Sequence, residues 1–523
     1  MELNILTLIT SIALLCILCS LIQQWRQCYR SSSSGPRCYP VVGCLVSFHK
    51  NRRRLLEWYT ELLANSPTNT IEISRLGARR TIVTANANNV EHILRTNFGN
   101  YPKGRPFTEI LGDFLGAGIF NVDGERWRMQ RKLVSHEFSA NSMREYTMST
   151  LREEVKGKLF PILESLAREK RTIDMQDLLK RFAFDVVCKV SLGVEQHSLD
   201  GSLPTCPLAD AFDISSEVCA RRGAASVSFL WKVKRWLVVG SEKKLRDAVQ
   251  VIHRHVDEAV EGKVKKMQMS EKEGGCSCSG GGYDMLSRMI SAGYDRKSMR
   301  DMVISFIMAG RDTTSAAMTW LFWLLSQNPN IEEEVVKEGT WVLSDSNNNE
   351  LGYDSLKELS LLKAVLYESM RLYPPVAWDS KHAVRDDVLP DGTFVKSGNR
   401  VTYFQYGMGR METLWGKDRL EFKPERWFLD QLNKKGELRK ICPYKFPVFQ
   451  AGPRDCIGKE MAMIQMQYVV ASILNRFVIR PADNRRPVFV PFLTAQMAYG
   501  FQVRVEERRI SCDNVMEENS VDV

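Results

Sequence analysis

One cysteine stands alone in the stretch FQAGPRDCIGKE, Phe449 to Glu460. Cys456 has Arg454 two residues before it, Gly458 two after, Gly452 upstream and a long, mostly apolar, helix-like run downstream. A thiol does nucleophilic or metal-binding chemistry as its thiolate, and a nearby positive side chain and a helix start both favour that form. Glycines let the backbone approach closely. Three other constellations carry chemistry-bearing groups. AGRDTT, Ala309 to Thr314, sets Asp312 beside Thr313 inside an apolar run, where a carboxyl and a hydroxyl could relay protons. A plainer reading stands beside it: threonine hydroxyls bonding back to the preceding turn. Glu368 and Arg371 in YESMRLYPP are three apart and share a helix face, and Arg426 in FKPERW supplies a second guanidinium for the same carboxylate. Trp127 and Arg131 in GERWRMQR are four apart, presenting an indole donor and a guanidinium together, a pair suited to a carboxylate.

The elements that must hold these groups are mostly helices. Met302 to Gln327 is apolar on nearly every face, the pattern of a helix buried all round. Burying Arg311, Asp312, Thr313 and Thr314 costs several kcal/mol unless each is paired, and Gly310 costs about 1 kcal/mol more relative to alanine. Such penalties concentrate at functional sites, and Gly310 is expected to loosen one turn beside Asp312. Apolar residues at three- and four-residue spacing predict further helices over Val90–Thr96, Trp127–Glu137, Asp174–Leu192 and Leu245–Met267. The β-like runs TIEISRL, RRTIVTA and VPFLTAQMAYGFQVRVE are short, so strands are expected to be few and late. The fold class is mainly α with small β-sheets, as one large domain.

Composition narrows the rest. The 523 residues carry a net charge of +10, spread without an aromatic-interleaved basic stripe, which argues against nucleic acid and leaves an acidic protein partner open. Thirteen cysteines in a long chain, several in apolar runs, read as free thiols in a reducing compartment. The run Leu3 to Ile22 is uncharged and close to the roughly 20 residues that span a bilayer, with Arg26, Arg30 and Arg37 after it and Trp25 at the interface. Residues 1–24 are therefore expected to be a retained signal anchor with the body of the protein in the cytosol. Residues 25–45 read as a basic Ser/Gly/Pro hinge, 46–508 as the catalytic domain and 509–523 as a polar tail.

Together these residues resemble one family. FQAGPRDCIG matches the heme-binding signature of cytochromes P-450, FxxGxRxCxG, at Phe449, Gly452, Arg454, Cys456 and Gly458. AGRDTT, ESMR and PERW match its other motifs in the expected order. The resemblance implies the P-450 fold, heme b held by Cys456 as axial iron ligand, and a thiolate that pushes electron density towards the iron. It implies that Asp312 and Thr313 deliver protons during dioxygen activation, with Thr314 beside them. Trp127, Arg131, Arg454 and His382 would meet the heme propionates, and Glu368, Arg371 and Arg426 would form the structural network behind the heme. Asp455 adds a negative charge expected to lower the heme potential slightly. Electrons would come from NADPH through the acidic, membrane-bound NADPH–cytochrome P-450 reductase at the endoplasmic reticulum. Arg126, Arg128, Lys132, Lys440 and Lys445 are candidates for its docking surface.

The wider runs around these motifs resemble a plant branch that oxidises the terminal carbon of fatty acids or of jasmonoyl-L-isoleucine, and most of all its jasmonoyl-isoleucine hydroxylases. By family position Phe107, Phe306, Ala309, Val376, Ala377, Leu493 and Thr494 surround the substrate. The alternative is an ω-hydroxylase of free fatty acids. A same-fold hydroperoxide isomerase or dehydratase, or a non-catalytic heme protein, would each be expected to depart from the intact AGRDTT pattern.

Overall fold

A computed structural model describes residues 35–508 apart from 40–41, 76–78, 140, 201–202, 226–227, 273–283, 346–349 and 431–435. The expected anchor (1–24) and tail (509–523) lie outside the described residues. Among the described residues no helix is long and apolar enough to cross a membrane.

Eight helices position the site: α1 (Arg105–Leu115), α2 (Gly124–Ser139), α3 (Met175–Leu192), α4 (Pro207–Ala224), α5 (Ser241–Lys272), α6 (Arg296–Gln327), α7 (Ser360–Leu372) and α8 (Lys459–Arg476). Each helix predicted over the 127, 174 and 245 segments falls inside or beside one of these. The Val90 segment begins as a short α-helix at Ala87, capped by the Asn86 side chain, and widens into a π turn over His92–Thr96. Helix α6 starts six residues before the apolar run, because the Asp295 carboxylate caps it through the Ser298 N–H at 3.0 Å. Its first turn is polar, which hides that start from hydrophobic periodicity.

Strands are not confined to the end of the chain. The largest sheet joins β1 (Thr70–Ile73), β2 (Thr81–Thr84), β5 (Arg400–Tyr403) and β4 (Asp379–His382) in that spatial order, with β2 and β5 parallel. A second sheet sets β9 (Gln502–Glu507) between β3 (Thr172–Asp174) and β6 (Phe477–Pro481), and β7 (Phe489–Pro491) pairs with β8 (Ala495–Met497). The charged sequence of β4, DSKH, conceals its strand character.

Burial wraps α6 at both ends, and each end belongs to a different core. Met299–Ile307 packs with α1, α3, α4 and α5, whereas Ala317–Leu325 packs with α7 and α8. AGRDTT lies at the junction. Gly310 does not loosen the helix, which stays α-helical from Arg296 to Gln327. A Cβ there would meet Val187 Cγ2 of α3 at 2.7 Å, so the glycine permits close helix crossing.

Candidate active site

The cysteine loop is built from backbone. The Cys456 N–H donates to the Phe449 carbonyl at 2.8 Å, and Asp455 N–H to the Gly452 carbonyl at 3.1 Å. Gly452 has φ +69°, and a Cβ there would lie 2.2 Å from the Leu94 carbonyl oxygen, so only glycine fits. Cys456 then precedes the first turn of α8. Its thiol is pushed up by burial, while the Gly458 N–H, Arg131 and Lys459 pull it down and Asp455 raises it. The favourable field foreseen from the sequence is present but does not outweigh burial. A metal bond would complete deprotonation, since a coordinating thiol loses its proton outright.

Midway along α6, Phe306, Ala309 and Thr313 retain partial exposure, as do Met308 and Gly310, the latter turned to Val187 of α3. Phe306, Ala309 and Thr313 follow the spacing of one helical stripe. Phe138 of α2 spans towards them, with its ring 5.8 Å from Phe306 and its Cε1 3.7 Å from where a Gly458 Cβ would be. Phe107, Phe306 and Leu493 pack in one apolar cluster with Ile457, the residue after the cysteine. The Ala495 N–H bonds the Pro375 carbonyl at 2.7 Å, bringing Leu493 and Thr494 beside Val376 and Ala377.

The polar half of AGRDTT divides in two. Thr313 donates to the Ala309 carbonyl at 2.6 Å and Thr314 to that of Gly310, the plainer reading of these hydroxyls. Asp312 is buried, its Oδ1 without a hydrogen bond and 3.6 Å from Arg311 Nε.

The arginines foreseen as anion ligands have carboxylate partners. Arg131 binds both the carbonyl and the carboxylate of Asp455. That pairing offsets the Asp455 charge, in keeping with no more than a slight effect on the heme potential. Arg454 donates to Asp123 at 2.6 Å and to the Val122 carbonyl at 3.0 Å, while lying 4.4 Å over the Trp127 ring. His382 turns to the Lys103 carbonyl at 2.6 Å. Alternation along β4 sends its neighbour Lys381 the other way, into a buried cluster the sequence did not disclose. There Asp379 accepts from Lys103 at 3.0 Å, Lys381 at 2.8 Å and the Tyr403 hydroxyl at 2.8 Å, and Tyr403 also reaches Gln450 beside the cysteine loop. Burial and Lys103 lower the affinity of Lys381 for its proton, and the two lysines hold Asp379 ionised. The available signal was Asp379 and Lys381 at strand spacing.

Glu368 anchors the network behind the loop. It accepts from Arg371 twice at 2.8 Å, Arg426 at 2.8 Å, the Trp427 indole at 2.9 Å and the Lys423 N–H at 2.9 Å. Among the basic docking candidates, Arg128 pairs with Glu125 at 3.2 Å. Lys445 is half-buried 4.5 Å over the Trp415 ring, and so is tethered rather than free.

The family model of cytochrome P450 matches residues 34–503. The chain belongs to the cytochrome P450 family. This cytochrome P450 is similar to cytochrome P450 94B1 of Arabidopsis thaliana, 55% identical over 491 residues, 93% of either chain. It is 53% identical to cytochrome P450 94B3 of the same plant over 486 residues, 93% of this chain and 94% of that one. It is 43% identical to cytochrome P450 94A1 of Vicia sativa over 477 residues, 90% of either chain. It is a P450 monooxygenase, and the family implies heme and a reductase as electron source.

The residues fit heme. Among the described residues no cluster of three or more His, Cys, Asp or Glu could hold a bare metal ion, whereas one thiol suffices for iron already held by a macrocycle. Cys456 is accessible although protein surrounds it, so its sulfur can reach iron carried in a macrocycle. Lys103, Arg131 and Arg454 match Asp123, Asp379 and Asp455 charge for charge, and Lys381, whose hold on its proton burial weakens, is a further cation that an anionic group would draw on.

Proposed function

We propose that this monooxygenase hydroxylates the terminal carbon of an amphipathic carboxylate, and that its substrate is jasmonoyl-L-isoleucine. Bound heme with its thiolate ligand supplies dioxygen activation, by which R–H, O2, two electrons and two protons give R–OH and water. The chain's own residues do the rest. Phe107, Phe306, Ala309, Val376, Ala377, Leu493 and Thr494 exclude water and hold the hydrocarbon end. Asp312 carries protons from the solvent side towards Thr313, whose hydroxyl keeps free acceptor capacity beyond its bond to Ala309. The observation that carries this reading is the partly open line of Phe306, Ala309 and Thr313 on α6, beside the buried Asp312 and linked through Phe138 to Gly458, two residues after Cys456. Two electrons arrive from NADPH through a reductase docked on the basic surface around Arg126, Arg128, Lys132 and Lys440. The enzyme is anchored by residues 1–24 in the endoplasmic reticulum membrane with this domain in the cytosol.

Microsomes containing the protein and reductase, given jasmonoyl-isoleucine and lauric acid together, test it. The expected product is the terminal alcohol of the conjugate, made only with NADPH. Preferential oxidation of laurate would shift the substrate to free fatty acids, and oxidation away from the chain end would remove the positional claim. Product without NADPH and reductase would remove the monooxygenase reading.

A further inference from the structure

Arg311 is the residue of AGRDTT with no role above, and it is almost fully buried. Its Nη2 donates to Asp213 Oδ1 at 2.6 Å and its Nη1 to the Ala209 carbonyl at 3.3 Å, both on α4. Lys180 of α3 also reaches Asp213, at 2.7 Å. The third edge of the guanidinium points home: Nε lies 3.6 Å from Asp312 Oδ1, and neither atom has a hydrogen bond.

This asymmetry has a physical meaning. At 3.6 Å an ion pair attracts without the directional constraint of a hydrogen bond, so the place of Arg311 sets where the Asp312 carboxylate is drawn. Arg311 gives its short, directional contacts to α4. The position of α4 therefore sets where the cation beside Asp312 sits. The other end of α4 is fixed to α1 and α5. Arg222, about 13 Å along the helix from Asp213, pairs with Asp113 of α1 at 2.8 Å and with Glu242 of α5. Asp113 in turn holds Arg235 at 2.6 Å. Arg235, Trp231 and Trp236 line a cavity of about 810 Å³ with Glu109 and Ala117.

We propose that Arg311 is a positioning residue for the Asp312 carboxylate, anchored by Asp213, so that the seating of α4 governs proton transfer at Asp312. The inference rests on the reading that Asp312 carries protons. One helix then joins the Arg222 ion-pair cluster to the acid, and the acid is correctly placed only when α4 is seated.

The test uses the heme-loaded enzyme with reductase and a substrate it turns over: wild type, Asp213→Asn, Arg311→Lys, Asp312→Asn and Asp213→Asn/Asp312→Asn. The Asp213 side chain is 43% exposed, so its isosteric change is expected to keep the fold, checked by the reduced carbon-monoxide spectrum. Asp213→Asn should lower kcat about 5- to 10-fold with KM within about twofold, raise the share of electrons lost as peroxide, and enlarge the solvent isotope effect. In the Asp312→Asn background the same change should cost less than about twofold. Arg311→Lys keeps the charge but loses the Nε edge and should behave like Asp213→Asn. A thermal-unfolding cycle on Asp213→Asn, Arg311→Lys and their double variant should be non-additive, reading the clamp itself. Wild-type coupling in Asp213→Asn, or an equal loss with and without Asp312, overturns the proposal, and if Asp213→Asn fails to fold, Arg311→Lys decides by the same criteria. A wild-type enzyme that works without NADPH and reductase would instead overturn the monooxygenase reading.

Discussion

Replacing Glu368 by glutamine should unmake the layer behind the cysteine loop. The carboxylate accepts five hydrogen bonds, from Arg371, Arg426, Trp427 and the Lys423 backbone. The amide turns one acceptor oxygen into an NH2 that faces other donors, whichever way it is oriented. Arg371 cannot leave, because its remaining N–H groups are bound to the carbonyls of Gly409, Arg419 and Glu421. The buried Arg371 guanidinium thus loses its counter-charge, while Arg426 keeps Asp418 at 3.4 Å, and breaking a buried pair in this way costs about 3–5 kcal/mol. Arg426→Lys keeps a cation and should cost less, about 1–2 kcal/mol, through lost fork geometry. Urea unfolding followed by tryptophan fluorescence and heme absorbance measures both, with heme content per purified protein as the second readout. Heme should be lost in step with stability while the position of oxidation in any remaining product stays unchanged. The reasoning fails if Glu368→Gln lies within about 1 kcal/mol of wild type, where a buried pair was expected to dominate, or if Arg426→Lys is the more harmful.

Three other expectations are open to measurement. Gly452→Ala forces a left-handed alanine with its Cβ 2.2 Å from the Leu94 carbonyl. It should displace the loop and reduce the fraction of reduced, carbon-monoxide-bound protein with the red-shifted thiolate spectrum, and a wild-type fraction would refute it. Burial lowers the His382 pKa from 6.5 to about 4 despite its bond to Lys103. The unfolded chain therefore takes up this proton between about pH 6.5 and 4 while the folded one does not, so stability falls by about 3 kcal/mol as pH drops through that window. His382→Gln should flatten the slope, and an unchanged slope would rule the histidine out. Asp455→Asn should shift the heme potential only slightly, because Arg131 already offsets the charge, and a large shift in a redox titration would contradict that.

The legible part of the site was the part written in consecutive residues. The cysteine loop, the α6 turn and the Glu368–Arg371 face each depend on local spacing, and each lies on the element that spacing implied. Arg426 joined Glu368 because one helix face and one short motif sufficed to pair them. Lys103, Asp379, Lys381, Tyr403 and Gln450 were illegible because the antiparallel pairing of β4 with β5 sets Asp379 opposite Tyr403, and tertiary packing brings Lys103 and Gln450 to them. Asp123 and Asp213 escaped for the same reason, as acids in ordinary polar contexts whose partners are supplied by tertiary packing. Gly310 was read as a local softening, whereas Val187, from another helix, gives its reason.

The parallel ladder between Thr81–Thr84 and Arg400–Tyr403 has a consequence for biosynthesis. The hairpin of β1 and β2 leaves the ribosome early, but the strand that satisfies its inner edge comes more than 300 residues later. At about 5–20 residues per second that edge stays unpaired for roughly 15–60 s, a template for wrong partners in a crowded cell. The growing chain thus has to be sheltered until its C-terminal third emerges, and its yield should respond to translation speed and chaperone supply more steeply than the stability of the finished enzyme would suggest.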